Sequence, residues 1–343
     1  MIRMATMSEH PRTTSPESAS SLAPVELDEL THNYGTRLAL DHLSFRVERA
    51  QIFGLLGPNG SGKTTLFRIL STLMVPSSGH ARIQGFDVRT EPNRVRQQTG
   101  IVFQASSLDI KLTVSENLKH QGHLYGLSGA YLKSRIDEVL GRVGLRDRAK
   151  DMVETLSGGM QRRVELAKGL IHSPSVLLLD EPSTGLDPGA RRDLWQYLRT
   201  LRDEDGVTVL VTTHMMEEAE HCDRLAILNL GKLVALGSPF ELKSQIGGDV
   251  ISLETRDENV ARAVADGIRD RFGVQASVLG HTIRMEREQG HRFVTDVVEA
   301  FPGQIDGISI AKPSLEDVFI QRTGHRFWNE VGSDASAAKE EEN

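Results

Sequence analysis

Apolar positions along this chain follow two rhythms. Short aliphatic runs, such as Gln51-Ile-Phe-Gly-Leu-Leu56, Val176-Leu-Leu-Leu179 and Val207 to Thr212, are bounded by Pro, Gly or charged residues. They read as strands buried on both faces, the pattern of a parallel sheet covered by helices. Between them the apolar residues recur at helical spacing. Leu66, Ile69, Leu70 and Leu73 form one such stripe, closed by Pro76 and Gly79, and Gln161 to Ile171 forms another that stops before Pro174. From about Val25 to Phe240 the alternation predicts an α/β domain around a mostly parallel sheet. The block Thr113 to Lys150 has helical runs such as Tyr131 to Leu140 and few strand signals, so it reads as a helical insertion over about residues 105–160.

After Phe240 the texture changes. Val250 to Leu253 reads as a strand, Asn259 to Arg271 as an amphipathic helix, and Gln275 to Leu279 with Thr282 to Met285 as two strands around a Gly-His turn. Phe293 to Ala300 then reads as a helix and Ile308 to Ala311 as a strand. The order βαββαβ predicts a small α+β, ferredoxin-like domain over residues 241–324. Residues 1–24, rich in Ser, Thr and Pro and without the apolar centre of a secretory signal, are expected to be a solvated tail, and the acidic end 325–343 another.

Composition narrows the function classes. The chain has 343 residues, 38% hydrophobic and 25% charged, enough for one large or two moderate globular domains. No apolar run approaches the roughly 18 residues that span a bilayer, so the chain is expected to stay on the cytosolic side. A single cysteine, Cys222, offers neither an internal disulfide nor a metal pair. A net charge of −7 argues against a broad nucleic-acid surface, and no nucleic-acid partner is expected.

The chemistry starts at Gly57-Pro58-Asn59-Gly60-Ser61-Gly62-Lys63-Thr64-Thr65, between a strand and a helix. Gly57, Gly62, Lys63 and Thr64 fit G-x-x-x-x-G-K-[ST]. Backbone N–H groups of such a loop close around a phosphate, and the helix behind presents its positive end to the same anion. Lys63 would reach the β and γ oxygens, Thr64 would hold Mg²⁺, and Thr65 could touch the α-phosphate. Asp180 and Glu181 leave the buried strand Val176 to Leu179 where such a site needs a carboxylate for the metal and one to polarise a water. Two acids at a strand end alone would be an ordinary solvated loop; the phosphate loop makes the pair informative. A second anion-binding end is offered by Leu156-Ser157-Gly158-Gly159-Met160, ahead of the helix Gln161 to Ile171.

Two phosphate-binding ends in this order resemble the ATP-binding-cassette (ABC) ATPases, whose signature is close to Leu-Ser-Gly-Gly-Gln. The resemblance covers essentially residues 25 to 324 and implies a P-loop NTPase fold of ABC type with a helical subdomain. It also implies ATP and Mg²⁺ as cofactors, and a head-to-tail homodimer in which the signature Ser157, Gly158 and Gly159 of one copy closes over the ATP of the other. Tyr34 resembles the aromatic that stacks on adenine, Gln104 the glutamine linking Mg²⁺ and the attacking water to the helical subdomain, Asp187 in Ser183 to Asp187 the D-loop at the dimer seam, and His214 the switch histidine at the γ-phosphate. Alone, a His or Gln in these places would read as structural; the shared order changes that reading. Met160 departs from the signature's usual Gln, with Gln161 one place later. Arg162 and Arg163 behind it are expected on a solvated or dimer-facing helix surface.

The tail narrows the family. Pro313-Ser-Leu-Glu-Asp-Val-Phe319 resembles the closing motif of exporter ATPases of the daunorubicin-resistance and nodulation-factor type, and also reads as a capped helix with Leu315, Val318 and Phe319 facing a core. That resemblance implies an ATPase that drives export of a drug, antibiotic, lipid or polysaccharide through a separate ABC-2-type membrane permease, held peripherally at the cytoplasmic face of the membrane. Lys63, Gln104, Glu181 and His214 would carry the hydrolysis and Thr64, Gln104 and Asp180 the metal, while residues around Ser106 to Val114 would help to receive the permease. An importer ATPase and a non-transport ABC ATPase are the alternatives.

Overall fold

The computed structural model describes residues 22–327. Most of both expected tails, residues 1–21 and 328–343, lies outside the described residues. The chain opens with a hairpin, β1 (Val25–Tyr34) and β2 (Arg37–Val47), which pairs antiparallel from Val25 opposite Val47 to Tyr34 opposite Arg37. β3 (Ile52–Leu56) carries the phosphate loop into α1 (Lys63–Leu70), and β4 (Ser78–Ile83) and β5 (Phe86–Asp87) complete an antiparallel sheet of order β2-β1-β4-β5. This sheet is an addition to the parallel core that the aliphatic runs predict. The stripe through Leu66, Ile69 and Leu70 is buried as expected. Leu73 is not: the chain turns left-handed at Thr72 (φ 60°), α1 ends at Leu70, and Leu73 is exposed.

The chain continues through α2 (Pro92–Gln98), β6 (Thr99–Val102), α3 (Val114–Leu124), α4 (Gly129–Arg142), α5 (Gly158–Leu170) and β7 (Val176–Asp180). It then forms α6 (Pro188–Asp205), β8 (Thr208–Thr213), α7 (Met216–Ala219), β9 (Arg224–Asn229) and β10 (Lys232–Gly237). The second sheet has the order β10-β9-β3-β8-β7-β6, parallel throughout except for β10. Strand pleating sends Ile52, Leu56, Leu177 and Leu179 into one apolar cluster with the helical block, and Phe53, Leu55, Val176 and Leu178 into another with β1, β2 and α1. Burial on both faces explains why these strands are continuously aliphatic.

α8 (Pro239–Ser244) leads into β11 (Asp249–Glu254), α9 (Glu258–Phe272), β12 (Ser277–Leu279), β13 (Thr282–Arg287), α10 (Gly290–Ala300) and β14 (Gly307–Ala311). The sheet order β12-β13-β11-β14, all antiparallel, realises the expected βαββαβ arrangement. The last helix, α11 (Leu315–Thr323), starts with a capping box between Ser314 and Asp317. Its apolar face, Leu315, Val318 and Phe319, packs into the cluster that holds Ala235, Leu242 and Ile246, so the helix bolts the small domain to the larger one. Phe327, placed by the sequence reading in the tail, is buried against Phe319. Arg284 of β13 forms an ion pair with Asp317, and Gln321 donates to Glu286 at 3.2 Å, tying the same helix to the small sheet.

Candidate functional site

β3 lies between β8 and β9, so the loop that follows it opens where central strands end, the usual place for a ligand in an open α/β sheet. Gly62 turns the chain into α1 at φ 103°, and a Cβ there would stand 2.7 Å from Ala39 O, which forbids any larger residue. The N-terminus of α1 has no side-chain cap and no acid in its first turn, leaving its N–H groups free for an anion. Beside it the buried Ser61 hydroxyl has no hydrogen-bond partner among the described residues. Lys63 is buried and curls back, its Nζ donating to Gly57 O (2.7 Å) and Pro58 O (3.0 Å). Burial lowers its pKa, against the pull of Glu181 and Asp180.

One cavity of about 290 Å³ brings together Tyr34, Asn59, Gly60, Gly62, Lys63, Thr64, Thr65 and Glu181. Its remaining wall is Arg37, Leu38, Ala39 and Leu230, which sequence reading missed. Leu38 and Leu230 are exposed apolar side chains, and only the fold shows that the β9–β10 turn reaches the loop. Tyr34 is 44% exposed and donates its hydroxyl to Met74 Sδ at 3.4 Å, leaving ring surface open to a ligand.

The acids sit where the sequence places them. Asp180 is buried at the end of β7 and accepts from Thr212 Oγ1 at 2.5 Å; burial raises its pKa, while that hydrogen bond opposes the shift. Glu181 adopts φ 42°. Its N–H donates to Thr212 Oγ1 at 3.0 Å, which fixes the turn. Its carboxylate gathers the other candidates. Oε1 lies 2.9 Å from His214 Nδ1, and Oε2 accepts from Gln104 Nε2 at 3.3 Å and Thr184 Oγ1 at 3.4 Å. A carboxylate held between a histidine and a glutamine at a phosphate-binding loop can orient and deprotonate a water. Among the described residues no three His, Cys, Asp or Glu side chains form a metal cage. Mg²⁺ does not need such a cage, because it takes few protein oxygens and keeps waters and substrate phosphates as its other ligands; Thr64, Asp180 and Gln104 are the residues that could offer them.

The signature residues are elsewhere. Ser157 caps α5 by accepting from Met160 N–H at 3.3 Å; it and Gly158 are exposed, and neither they nor Gly159 line the cavity. Asp187 is likewise exposed and caps α6, accepting from Gly189 N (2.8 Å) and Ala190 N (2.9 Å). The Ala190 bond leads the causes that hold its carboxyl below the usual range. Gln161 takes a purely local job, donating to Val153 O and Leu156 O at 3.2 and 3.1 Å and fastening the signature loop from behind.

Arg162 departs from the surface position the sequence predicts. Its guanidinium turns inward and donates to Phe103 O and Pro182 O at 2.7 Å each and to Asp180 O at 3.5 Å. One α5 side chain thus clamps the residue before Gln104 and the backbone on both sides of Glu181. Arg163 does lie toward solvent, paired with Asp193 at 2.5 Å. One turn on, buried Glu165 accepts from Ser106 Oγ (2.8 Å), Ser107 N (2.6 Å) and Ser107 Oγ (2.8 Å), and Lys168 donates to Ser107 O at 2.6 Å. Buried Glu218 accepts from Ser183 and from Thr213 Oγ1, joining the start of the D-loop to the residue before His214. The i, i+3, i+6 spacing of Arg162, Glu165 and Lys168 marks one face of α5, but nothing local says that this face turns inward.

The ABC transporter family profile matches residues 40–184. The chain is 37% identical over 314 residues to the Daunorubicin resistance ATP-binding protein DrrA3 of Streptomyces coeruleorubidus, covering 88% of this chain and 96% of that one. It is 39% identical over 311 residues to the Nod factor export ATP-binding protein I of Ralstonia nicotianae, covering 88% and 94%. A solved dimeric post-hydrolysis state of an ATP-binding cassette bound to ADP and Pi superposes with a TM-score of 0.56 at 29% identity, over 62% of this chain and 98% of that one.

Proposed function

Since the chain belongs to the ABC transporter family of ATP-binding proteins, we propose that it powers an exporter: two copies close on two ATPs, and closure drives a separate membrane permease. As an ABC ATPase it binds ATP and hydrolyses it to ADP and phosphate. The observation that carries the rest is a division of labour within one chain. The nucleotide cavity contains the phosphate loop, Tyr34 and Glu181, whereas Ser157 and Gly158 stand exposed outside it. A signature that cannot reach its own cavity is available to a second copy's.

In this reading Tyr34 stacks on adenine, and the first-turn N–H groups of α1 with Lys63 hold the β and γ phosphates. Thr64, Asp180 and Gln104 hold Mg²⁺, which supplies charge neutralisation at the phosphates. Glu181 takes a proton from the attacking water and His214 keeps its carboxylate oriented, two roles supported by the 2.9 Å contact between them. The partner's Ser157, Gly158 and Gly159 close over the γ-phosphate, with Asp187 at the seam. Gln104 is followed by Ser106 and Ser107, which are fastened to α5 through Glu165, so a shift at the nucleotide is passed to the helical block. That block faces the permease.

Among the described residues no helix is long and apolar enough to cross a membrane. The relatives' names, daunorubicin resistance and Nod factor export, support an exported drug, antibiotic, lipid or polysaccharide as the cargo; in this reading the permease is of ABC-2 type and the chain sits at the cytoplasmic face. Affinity capture of the tagged chain from detergent-solubilised host membranes should bring down an integral membrane polypeptide in stoichiometric amount. Recovery of the chain alone from membranes that support full ATPase activity would overturn the exporter reading.

A further inference from the structure

Among the described residues β14 is an edge strand of the small sheet, bonded on one side only, to β11. The N–H of Thr255, the residue after β11, donates to His281 O at 3.0 Å. By alternation, the odd-numbered residues of β11 bond toward β13 and the even-numbered ones toward β14. Gly307, Ser309 and Ala311, opposite Glu254, Ser252 and Val250, therefore bond inward. The N–H and C=O groups of Ile308 and Ile310 are left on the open edge. Those two side chains, opposite buried Leu253 and Ile251, are each 41% exposed. An edge of this kind is a template for another strand.

The sequence of the edge names the strand that fits. Asp306-Gly-Ile-Ser-Ile-Ala-Lys312 is close to self-complementary about Ser309. Laid antiparallel on a second copy of itself, it sets Ser309 opposite Ser309, Ile308 opposite Ile310, and Asp306 opposite Lys312 at both ends. The Ile–Ile pairs are the hydrogen-bonded ones, satisfying the open backbone groups, and the opposite charges lie at matching ends of the paired segment, Asp306 just outside the strand with its N–H turned inward to Glu254 O at 2.8 Å. Sliding by two residues sets an isoleucine against a charge, and a parallel arrangement sets Lys312 beside Lys312, so the charges select this register. Asp306 is exposed, and Lys312 is 87% exposed although its Nζ lies 2.7 Å from Asp249 Oδ1. Both can therefore reach a partner.

We propose that β14 is a homodimer contact: two copies join their small sheets edge to edge, antiparallel about Ser309, without nucleotide. The contact rests on this edge and not on the ATP reading, so its failure would leave that reading intact. It would keep two ATPase domains together between closures.

Cross-linking of the full-length chain tests the register. In a non-hydrogen-bonded antiparallel pair the facing Cα atoms are about 4.5 Å apart, within disulfide range. The native Cys222 is buried and gives little background. Oxidised without ATP, Ser309→Cys should run as a covalent dimer. Ala311→Cys should not, because Ala311 faces Gly307 and the two Ala311 residues lie about 13 Å apart. Lys312→Asp should weaken dimerisation of the otherwise unmodified protein on the order of tenfold by sedimentation, and adding Asp306→Lys should restore it. A folded Ser309→Cys that stays monomeric, equal cross-linking at Ser309→Cys and Ala311→Cys, or a Ser309→Cys adduct with another membrane polypeptide in its place would each overturn the proposal.

Discussion

Replacing Arg162 by methionine keeps most of the side chain's length and removes its donors. The two 2.7 Å bonds to Phe103 O and Pro182 O are charge-assisted, and such bonds contribute roughly 1.5–3 kcal/mol each. Losing them leaves both carbonyls without that donor, while the guanidinium's own desolvation cost is recovered, so the net loss should be about 3 kcal/mol. For a domain of this size 1 kcal/mol moves the melting temperature by roughly 2–4 °C. Calorimetry on the nucleotide-free protein should show the larger domain melting roughly 6–12 °C lower in Arg162→Met, with Arg162→Lys in between. ATPase activity measured well below the transition should fall as well, because the clamp holds the backbone beside Gln104 and Glu181. A variant that melts within about 1 °C of the parent and hydrolyses ATP normally would refute the reasoning.

Two further outcomes follow from buried titratable groups. His172 stacks on Tyr125, with Nε2 3.2 Å from Thr99 O, and burial pushes its pKa down to about 4. Between that value and its ordinary 6.5 the unfolded chain binds the extra proton, so stability is full above pH 6.5 and falls by about 3 kcal/mol toward pH 4; urea titrations of His172→Phe should lack that component of the slope. For Asp180, whose pKa burial raises, the native state binds the extra proton, so the cost of the ionised carboxylate develops as pH rises above 3.8. Asp180→Asn should therefore melt higher than the parent without nucleotide at pH 7, and should lose the stabilisation that ATP with Mg²⁺ gives the parent.

What could be read from the sequence is what neighbours along the chain determine. The phosphate loop, the acids ending β7 and the capped start of α11 are local patterns, and each sits where its pattern predicts. The helices expected at Tyr131 to Leu140 and Asn259 to Arg271 form as Gly129–Arg142 and Glu258–Phe272, longer by their end turns because caps lie outside the periodic stripe. What could not be read depends on distant contacts. Two adjacent arginines look alike in sequence, yet Arg162 turns inward to carbonyls of β6 and β7 neighbours while Arg163 meets Asp193 at the surface. The antiparallel sheet of β1, β2, β4 and β5 is hidden because buried and exposed residues do not alternate regularly along it and its strands are broken by bulges, which blur the period-two signal. The apolar face of α11 was legible; the domain it packs against was not.

In the proposed mechanism ATP closes two copies and Glu181 then activates the water. This mechanism is tested most directly by sedimentation of Glu181→Gln with ATP and Mg²⁺, alongside phosphate release. The variant should bind ATP, accumulate as a dimer holding two ATPs, and hydrolyse them on the order of a hundredfold or more slowly than the parent. A Glu181→Gln protein that turns over ATP at the parental rate, or that binds ATP and remains monomeric, would contradict it.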